Sequence, residues 1–440
     1  MMVCFRAIVL AMRFASNDRK SVDRNLSCPG RSPMRVVDVR PCQAKLGRCR
    51  SRSCCRRTRC VIAAASEYQQ GRPSALVVGA GIIGLTSAIR LLQLGFDTHV
   101  VAHRRAQESV SLGAGAIWEL PPFKASPVER SSAWALVSRD IFDALKHERG
   151  VFQRRIHYLC TQQGDYPADK SLTHKLRDFH AGNPPQEVGS RYVYGYSHIA
   201  PIIDMPTYLP FLQKMCGALG GRISYSAEPL ATLHDASTIA ARSVGRAVIP
   251  DVVVNCCGLG AATLGGVADS GVIPVRGIKV YVDAPDVKPV SVYIAEPRDA
   301  STSFTSITPR GDTGMWACSG VAQPGATSLD VTQEEVAAIM ERCTDLLPAL
   351  KGKPVVGTWA GLRPLRQASA GGIRLEADRM EDGTLVVHNY GHGGAGVVTS
   401  WGCAQDVGAL AVADACARQW PLQPLTSMPH DFADVPLPRI

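Results

Sequence analysis

The chain has 440 residues, 46% hydrophobic and 20% charged, which is too long for one ordinary domain and apolar enough for a large core. Its formal net charge of +10 is unevenly spread. Residues 1–66 hold 15 Lys and Arg against 3 Asp and Glu, leaving −2 on the rest, so the charge is no argument for nucleic-acid binding.

Residues 1–66 are rich in Arg, Ser and Cys and poor in acids, the composition of an organelle transit peptide. Arg56 to Ala65 reads as the processing region. The segment resembles a plastid leader, with a mitochondrial one as the alternative; a disordered basic tail and a start codon set too early are the competing readings. The last residues, Pro438-Arg439-Ile440, are not a peroxisomal address of the Ser-Lys-Leu type. Seven of the 15 cysteines fall in the leader. The other eight form no C-x-x-C pair, which leaves zinc and dithiol sites without support and favours buried free thiols.

The body opens on Ala75-Leu76-Val77-Val78, an apolar run expected to be a buried parallel strand. Gly79-Ala80-Gly81-Ile82-Ile83-Gly84 follows as G-x-G-x-x-G, and apolar residues then recur at helical spacing. Strand, glycine turn and helix in that order predict a dinucleotide cradle. Its glycines permit a tight turn and close backbone approach, and its helix N-terminus offers free N–H groups to a pyrophosphate. Thr98 to Ala102 reads as the second strand. An acid that binds ribose hydroxyls usually ends that strand, but here His103, Arg104 and Arg105 follow. This argues mildly against NAD; Arg104 or backbone groups can still meet an adenosine, and Glu108 is a weak substitute for the acid. Ser111 to Trp118, with Ser111, Gly115 and Ala116, reads as a small-residue loop that a flat ligand can approach.

Tyr192, Tyr194 and Tyr196 alternate as on a half-exposed strand. Met205 to Leu219 is a predicted helix. Asp251 to Asn255 is another buried strand, ending at Cys256-Cys257-Gly258 and pointing back into a doubly wound sheet. Residues 276–322 read as an antiparallel sheet with strands at Lys279–Val282, Ser291–Ile294 and Met315–Cys318. A helix is expected over Val331 to Leu347, opened by Thr332. Gly361-Leu362-Arg363-Pro364-Leu365-Arg366 reads as arginine beside a rigid turn. Leu385 to Tyr390 is a strand, Gly391-His392-Gly393-Gly394-Ala395-Gly396 a second glycine turn, and Val397 to Ala413 a helix.

These residues resemble the FAD-dependent D-amino-acid oxidase family, which includes D-aspartate oxidase. The match runs from about 74 to 420. Arg363-Pro364-Leu365-Arg366, His388 to Gly396 and Trp401-Gly402-Cys403-Ala404 carry it most strongly. Asp251 to Gly258 followed by Val275-Arg276-Gly277 adds to it. The resemblance implies an α/β fold: a Rossmann-like FAD-binding domain of discontinuous segments (74–123, 203–270 and 364–421) plus a mixed β-sheet substrate domain (124–202 and 271–363), with a tail over 422–440. It implies oxidation of a D-amino acid by hydride transfer to the flavin, giving an imino acid that hydrolyses to a 2-oxo acid and ammonia, with hydrogen peroxide from oxygen. Expected partners are the small substrate and oxygen, with no nucleic acid, membrane or metal; a homodimer is left open.

The resemblance also implies roles. Arg363 holds the substrate carboxylate, and the Gly394 carbonyl accepts a hydrogen bond from the substrate amine. Gly79, Ala80, Gly81, Ile82, Ile83, Gly84, Arg104, Ser111, Gly115, Ala116, Cys257 and Gly258 contact FAD, together with Gly393, Gly394, Ala395, Gly396, Val397, Val398 and Thr399. His392 is read as structural. Two departures concern the substrate clamp. Ser306 stands where the family has an aromatic, and Ala395 where several relatives carry tyrosine; Tyr194 or Tyr196 is the expected compensation. Arg310 and Arg366 are candidates to meet an acidic side chain. A glycine- or sarcosine-type amine oxidase, a dehydrogenase, and a non-catalytic flavoprotein are the alternatives.

Overall fold

A computed structural model describes residues 71–121, 125–145, 149–162, 172–245, 249–295 and 303–437. The transit-peptide reading of 1–66 and the terminal Pro438-Arg439-Ile440 lie outside them. From Pro73 onward the chain forms one compact unit. It contains strands β1 (Ser74–Val78), β2 (Asp97–Ala102), β3 (Val151–Cys160), β4 (Arg177–Gly182), β5 (Tyr194–Ile203), β6 (Arg222–Tyr225), β7 (Val252–Asn255), β8 (Val272–Asp283), β9 (Ser291–Ala295), β10 (Ser303–Pro309), β11 (Met315–Val321), β12 (Gln323–Pro324), β13 (Val355–Arg366), β14 (Arg374–Arg379) and β15 (Leu385–Tyr390). The helices are α1 (Ile82–Gln93), α2 (Val128–Ala144), α3 (Met205–Ala218), α4 (Leu233–Val244), α5 (Gln333–Leu346) and α6 (Gly396–Ala417).

The first sheet has the order β14-β15-β7-β1-β2-β6. All its pairs are parallel except β14 with β15. Every residue of β1, β7 and β15 is buried. That explains their unbroken apolar reading, since a parallel strand covered on both faces has no polar side to show. Leu76, Val78, Val101, Val253 and Val386 pack with Leu233, Ala236 and Ala240 of α4. Each fully buried aliphatic side chain contributes about 1.5–3 kcal/mol. Helices α1 and α6 pack on each other, with α2 against α6 and α3 against α1.

The second sheet has the order β12-β8-β11-β10-β9-β3-β5-β4, with β13 also on β8. The expected hairpins over 276–322 are therefore one part of a larger, mixed sheet, in which β3 pairs parallel with β9. One face carries the core of Ile278, Val280, Val282, Ile307, Trp316 and Cys318, closed by Ile339, Cys343 and Leu346 of α5. Arg276 reaches out on this face, 2.6 Å from Glu335 at the start of α5. Thr332 caps α5 as expected, accepting a hydrogen bond from the Glu335 backbone N–H.

The rigid turn expected around Pro364 is instead the end of a twelve-residue strand. Pro364 lies directly opposite Pro274 of β8. β13 is paired along its length with β8, and its other edge meets only the short Leu365–His392 bridge among the described residues, so the missing N–H of Pro364 interrupts no second ladder. Helix α2 has an apolar side too sparse to stand out from its serines, Ser131, Ser132 and Ser138, all of which are buried. The eight body cysteines are free, five of them buried.

Buried histidines make the fold acid-sensitive. His99, His198 and His388 are at most 4% exposed, and burial lowers each pKa to about 4; His392, equally buried, falls to about 3. The unfolded chain titrates near 6.5, so between pH 6.5 and 4 it binds more protons than the native state. Stability is full above pH 6.5 and is lost as pH falls toward 4. A thermal-unfolding series from pH 8 to 4.5 is expected to show a steady Tm down to about pH 6.5 and a steep fall below it. A flat profile would contradict this assignment.

Candidate active site

The sheet order makes neighbours of the two glycine turns. β7 lies between β1 and β15, all parallel, so the turns after Val78, Asn255 and Tyr390 emerge side by side. This is the carboxyl end of the parallel strands, where open α/β sheets bind ligands. Gly79 has φ +113°, and a Cβ there would overlap the Cys256 carbonyl oxygen. A Cβ on Gly84 would overlap the Gly79 carbonyl oxygen. At Gly81 a Cβ would meet only Ser111 Oγ, at 3.3 Å. Gly79 and Gly84 close the turn, and Gly81 between them leaves the helix end approachable.

Helices α1 and α6 begin at this place. Neither is capped by the side chain of its own N-cap residue, Gly81 or Ala395, and neither has an acid in its first turn, whereas α4 and α5 are capped by Thr232 and Thr332. The two ends adjoin: Thr86 Oγ1 lies 3.3 Å from the Ser400 carbonyl oxygen. Two uncapped N-termini in register concentrate unsatisfied N–H groups and partial positive charge, the environment that favours an anion. Ser111 Oγ accepts the Ile82 N–H at 3.2 Å, which ties the loop after β2 to the start of α1.

Strand β13 runs past the remaining turns. A Cβ on Gly113 would overlap the Trp359 ring. Pro364 lies against Gly258, 3.7 Å from where a Cβ would stand. Leu365 bridges His392, and the Arg366 N–H donates to the Gly391 carbonyl at 3.1 Å. One strand thus holds Arg363 beside three loops distant in sequence. The Arg363 guanidinium lies over Gly277 of β8, where a Cβ would collide with it. Nη1 donates to the Val321 carbonyl oxygen at 3.2 Å, and no carboxylate is paired with it among the described residues. Burial lowers its pKa. A desolvated guanidinium fork without an acid has the geometry and charge to receive a carboxylate.

A family model described as FAD dependent oxidoreductase matches residues 74–410. The chain belongs to that family. It is 35% identical over 337 residues to a D-amino-acid oxidase of Streptomyces coelicolor, covering 76% of this chain and 96% of that one. It is 28% identical over 350 residues to a D-aspartate oxidase of Homo sapiens, covering 76% and 93%. In fold it is similar to a glycine oxidase of Bacillus cereus, with a TM-score of 0.62 at 17% identity over 78% of this chain and 97% of that one.

The residues present fit FAD. Gly79 and Gly84 leave no room for side chains, Gly81 has only Ser111 Oγ nearby, and the starts of both helices, which lack an N-cap side chain, lie at this turn. This oxidoreductase would hold the pyrophosphate on Gly79 to Gly84 at the start of α1. Ser111, Gly115 and Ala116 stand on the loop after β2, Ala116 with φ +50°. Arg104 is exposed at the end of β2. Cys257 and Gly258 follow β7, and Gly258 takes φ +59°. Gly393 to Ala395 form a single tight turn at the head of α6, with Gly394 exposed and Ala395 buried. Val397 and Val398 are buried in the first turn of α6. Thr399 is fully buried and its Oγ1 donates to the Ala395 carbonyl at 3.0 Å, so this hydroxyl is engaged inside the helix.

On the substrate side, directly opposed residues share a face, and one row crosses the second sheet: Trp359, Lys279, Ser319, Ser306, Ile294, Tyr158 and Tyr196. It is the face of Arg363 and lies opposite the apolar core. Ser306 is buried in this row. Tyr196 stacks on Tyr158 with centroids 4.5 Å apart, three strands or about 14 Å from Ser306. Tyr194 sits further along β5, opposite Cys160.

Two sequence candidates for meeting an acidic side chain are already paired. Arg310 lies 3.1 Å from Asp204, and Arg366 lies 2.7 Å from Asp269, whose carboxylate also accepts the Tyr390 hydroxyl. Both acids come from distant segments, which is why the sequence did not reveal the pairing. Lys279 is the residue that sequence reading passed over. It is 5% exposed, and its Nζ has no hydrogen-bond partner among the described residues. Burial, then Arg310 and Arg363, press its pKa well below the ordinary value, with Asp204 opposing. The signal was present: Lys279 alternates with Gly277 on a strand whose other positions are Ile278 and Val280.

Proposed function

We propose that this oxidoreductase converts D-amino acids to imino acids, which hydrolyse to 2-oxo acids and ammonia, with oxygen taken to hydrogen peroxide. Arg363 carries the reading. Its fork would grip the substrate carboxylate with two parallel N–H···O bonds and so decide which face of Cα is presented. The carbonyl of Gly394, an exposed residue, would accept from the amine, and Ser306 would add a hydroxyl in place of the family's aromatic. The uncapped start of α6 favours negative charge developing at the site. Bound FAD supplies the hydride acceptor and passes the electrons to oxygen. The names of the Streptomyces and human relatives support the substrate class.

Two further readings belong here. The strands of the first sheet fall within 74–123, 203–270 and 364–421, which supports an FAD domain of those segments and a substrate domain of 124–202 and 271–363. We also place the enzyme in a plastid, on the basic, acid-poor composition of residues 1–66; a fluorescent fusion of that segment left in the cytosol would overturn this.

The test is purified, FAD-loaded protein mixed anaerobically with a panel of D- and L-amino acids. Bleaching of the flavin by D-isomers, with peroxide formed on admission of air, is the expected result. No bleaching by any D-isomer defeats the proposal. Ser306 and Ala395, which depart from the family's clamp, favour one second reading, a glycine- or sarcosine-type oxidase. Achiral or N-methyl substrates outperforming every D-amino acid would select it.

A further inference from the structure

Resting on the reading just given, we propose that Lys279 is a specificity-determining residue that binds a second carboxylate of the substrate, making acidic D-amino acids the preferred class. Lys279 of β8 is directly opposite Trp359 of β13, and Arg363 is opposite Val275, so the two cations start four residues apart on adjacent strands. The Arg363 side chain closes half of that gap. Its guanidinium lies over Gly277, two residues or about 7 Å along β8 from Lys279 on the same face. An acidic amino acid has its two carboxylates on one short carbon chain, which suits two cations so placed.

The surrounding charges leave Lys279 for this role. The cations near it are Arg310 on β10's end and Arg363 on β13; the acid near it is Asp204, before α3. Asp204 is already bound by Arg310 at 3.1 Å and by the Thr207 hydroxyl at 2.7 Å. Two guanidinium groups and the Lys279 amine thus face one committed carboxylate. A buried ammonium without a partner is costly, and a buried amine with two guanidinium groups beside it gains most from an anion. A neutral side chain would leave Lys279 as it is; a carboxylate would pair it. Selectivity of that origin is large, because the wrong substrate leaves a buried polar group unpaired.

The experiment uses the FAD-loaded enzyme, Lys279→Met and Lys279→Arg. The ratio of kcat/KM for D-glutamate or D-aspartate over D-alanine is expected to favour the acids in the wild type. It should fall about 100-fold in Lys279→Met and recover most of its value in Lys279→Arg. Independently of turnover, malonate binding, read as a perturbation of the flavin spectrum, should weaken by about 30- to 100-fold in Lys279→Met, while propionate changes less than threefold. The Tm of Lys279→Met should equal or exceed that of the wild type, since a buried unpaired ammonium is replaced by an apolar group of similar shape. A ratio and a malonate affinity unmoved by the substitution, or a wild type that oxidises neutral D-amino acids and not acidic ones, overturns the proposal. If no D-amino acid bleaches the flavin, the proposed function fails, and malonate binding still decides the role of Lys279.

Discussion

Substituting Arg363 by alanine is expected to lower kcat/KM for the best D-amino acid on the order of 10³-fold while the protein keeps its flavin. The estimate follows from the side chain's place. It is a desolvated guanidinium with a carbonyl and no acid as its described partner, and a substrate carboxylate would complete it. Removing one member of such a buried pair typically costs about 3–5 kcal/mol. Arg363→Lys keeps the charge and loses the fork, so roughly 10- to 100-fold should remain lost. Gly277→Ala makes the same point without touching the arginine. Its Cβ would collide with the guanidinium, the free end of a flexible side chain, so the protein should fold and the fork should move. Steady-state kinetics with the 450 nm absorbance as a measure of bound flavin reads all three. Arg363→Ala within threefold of the wild type would remove the carboxylate role.

Gly84→Ala is expected to yield no yellow, soluble protein. The added methyl would overlap the Gly79 carbonyl oxygen, a backbone atom fixed by the turn itself. Gly79 cannot retreat, because its own Cβ position faces the Cys256 carbonyl on β7's turn. Overpacking typically costs about 1–3 kcal/mol even where side chains can yield, and here no side chain is available to do so. Gly217→Ala is the control. It lies in α3 with open space around it and should stabilise the protein by about 0.5–1 kcal/mol. Soluble yield and the ratio of flavin to protein absorbance distinguish the outcomes. A fully flavinylated Gly84→Ala would refute the close-approach argument.

Much of the cofactor side was legible in the chain because its signals are local. A buried parallel strand, a glycine turn and a helix start all lie within a dozen residues, and β1, β7 and β15 stand where their apolar runs predicted. The substrate side was less legible because its logic is cross-strand. Pro364 looked like a turn and is a strand residue facing another proline. Arg310 and Arg366 looked available and are paired with Asp204 and Asp269 from other segments. Lys279 looked like the first residue of an antiparallel strand, and only its register against Trp359 and Ser319 sets it on the same face as Arg363.

The order β15-β7-β1 has a consequence in time. Ser74 on β1 pairs with Asp251 at the start of β7, 177 residues later, and Thr86 meets Ser400, 314 residues later. Closing such loops is slow, and its entropy must be spent before the contacts repay it. On the ribosome the N-terminal glycine turn emerges early and waits with an incomplete wall. The strand that flanks it needs residue 255, and the second uncapped helix needs residue 396 and beyond. Flavin capture is therefore an event of the nearly finished chain, and a polypeptide cut short before α6 would carry the nucleotide motif without the means to use it.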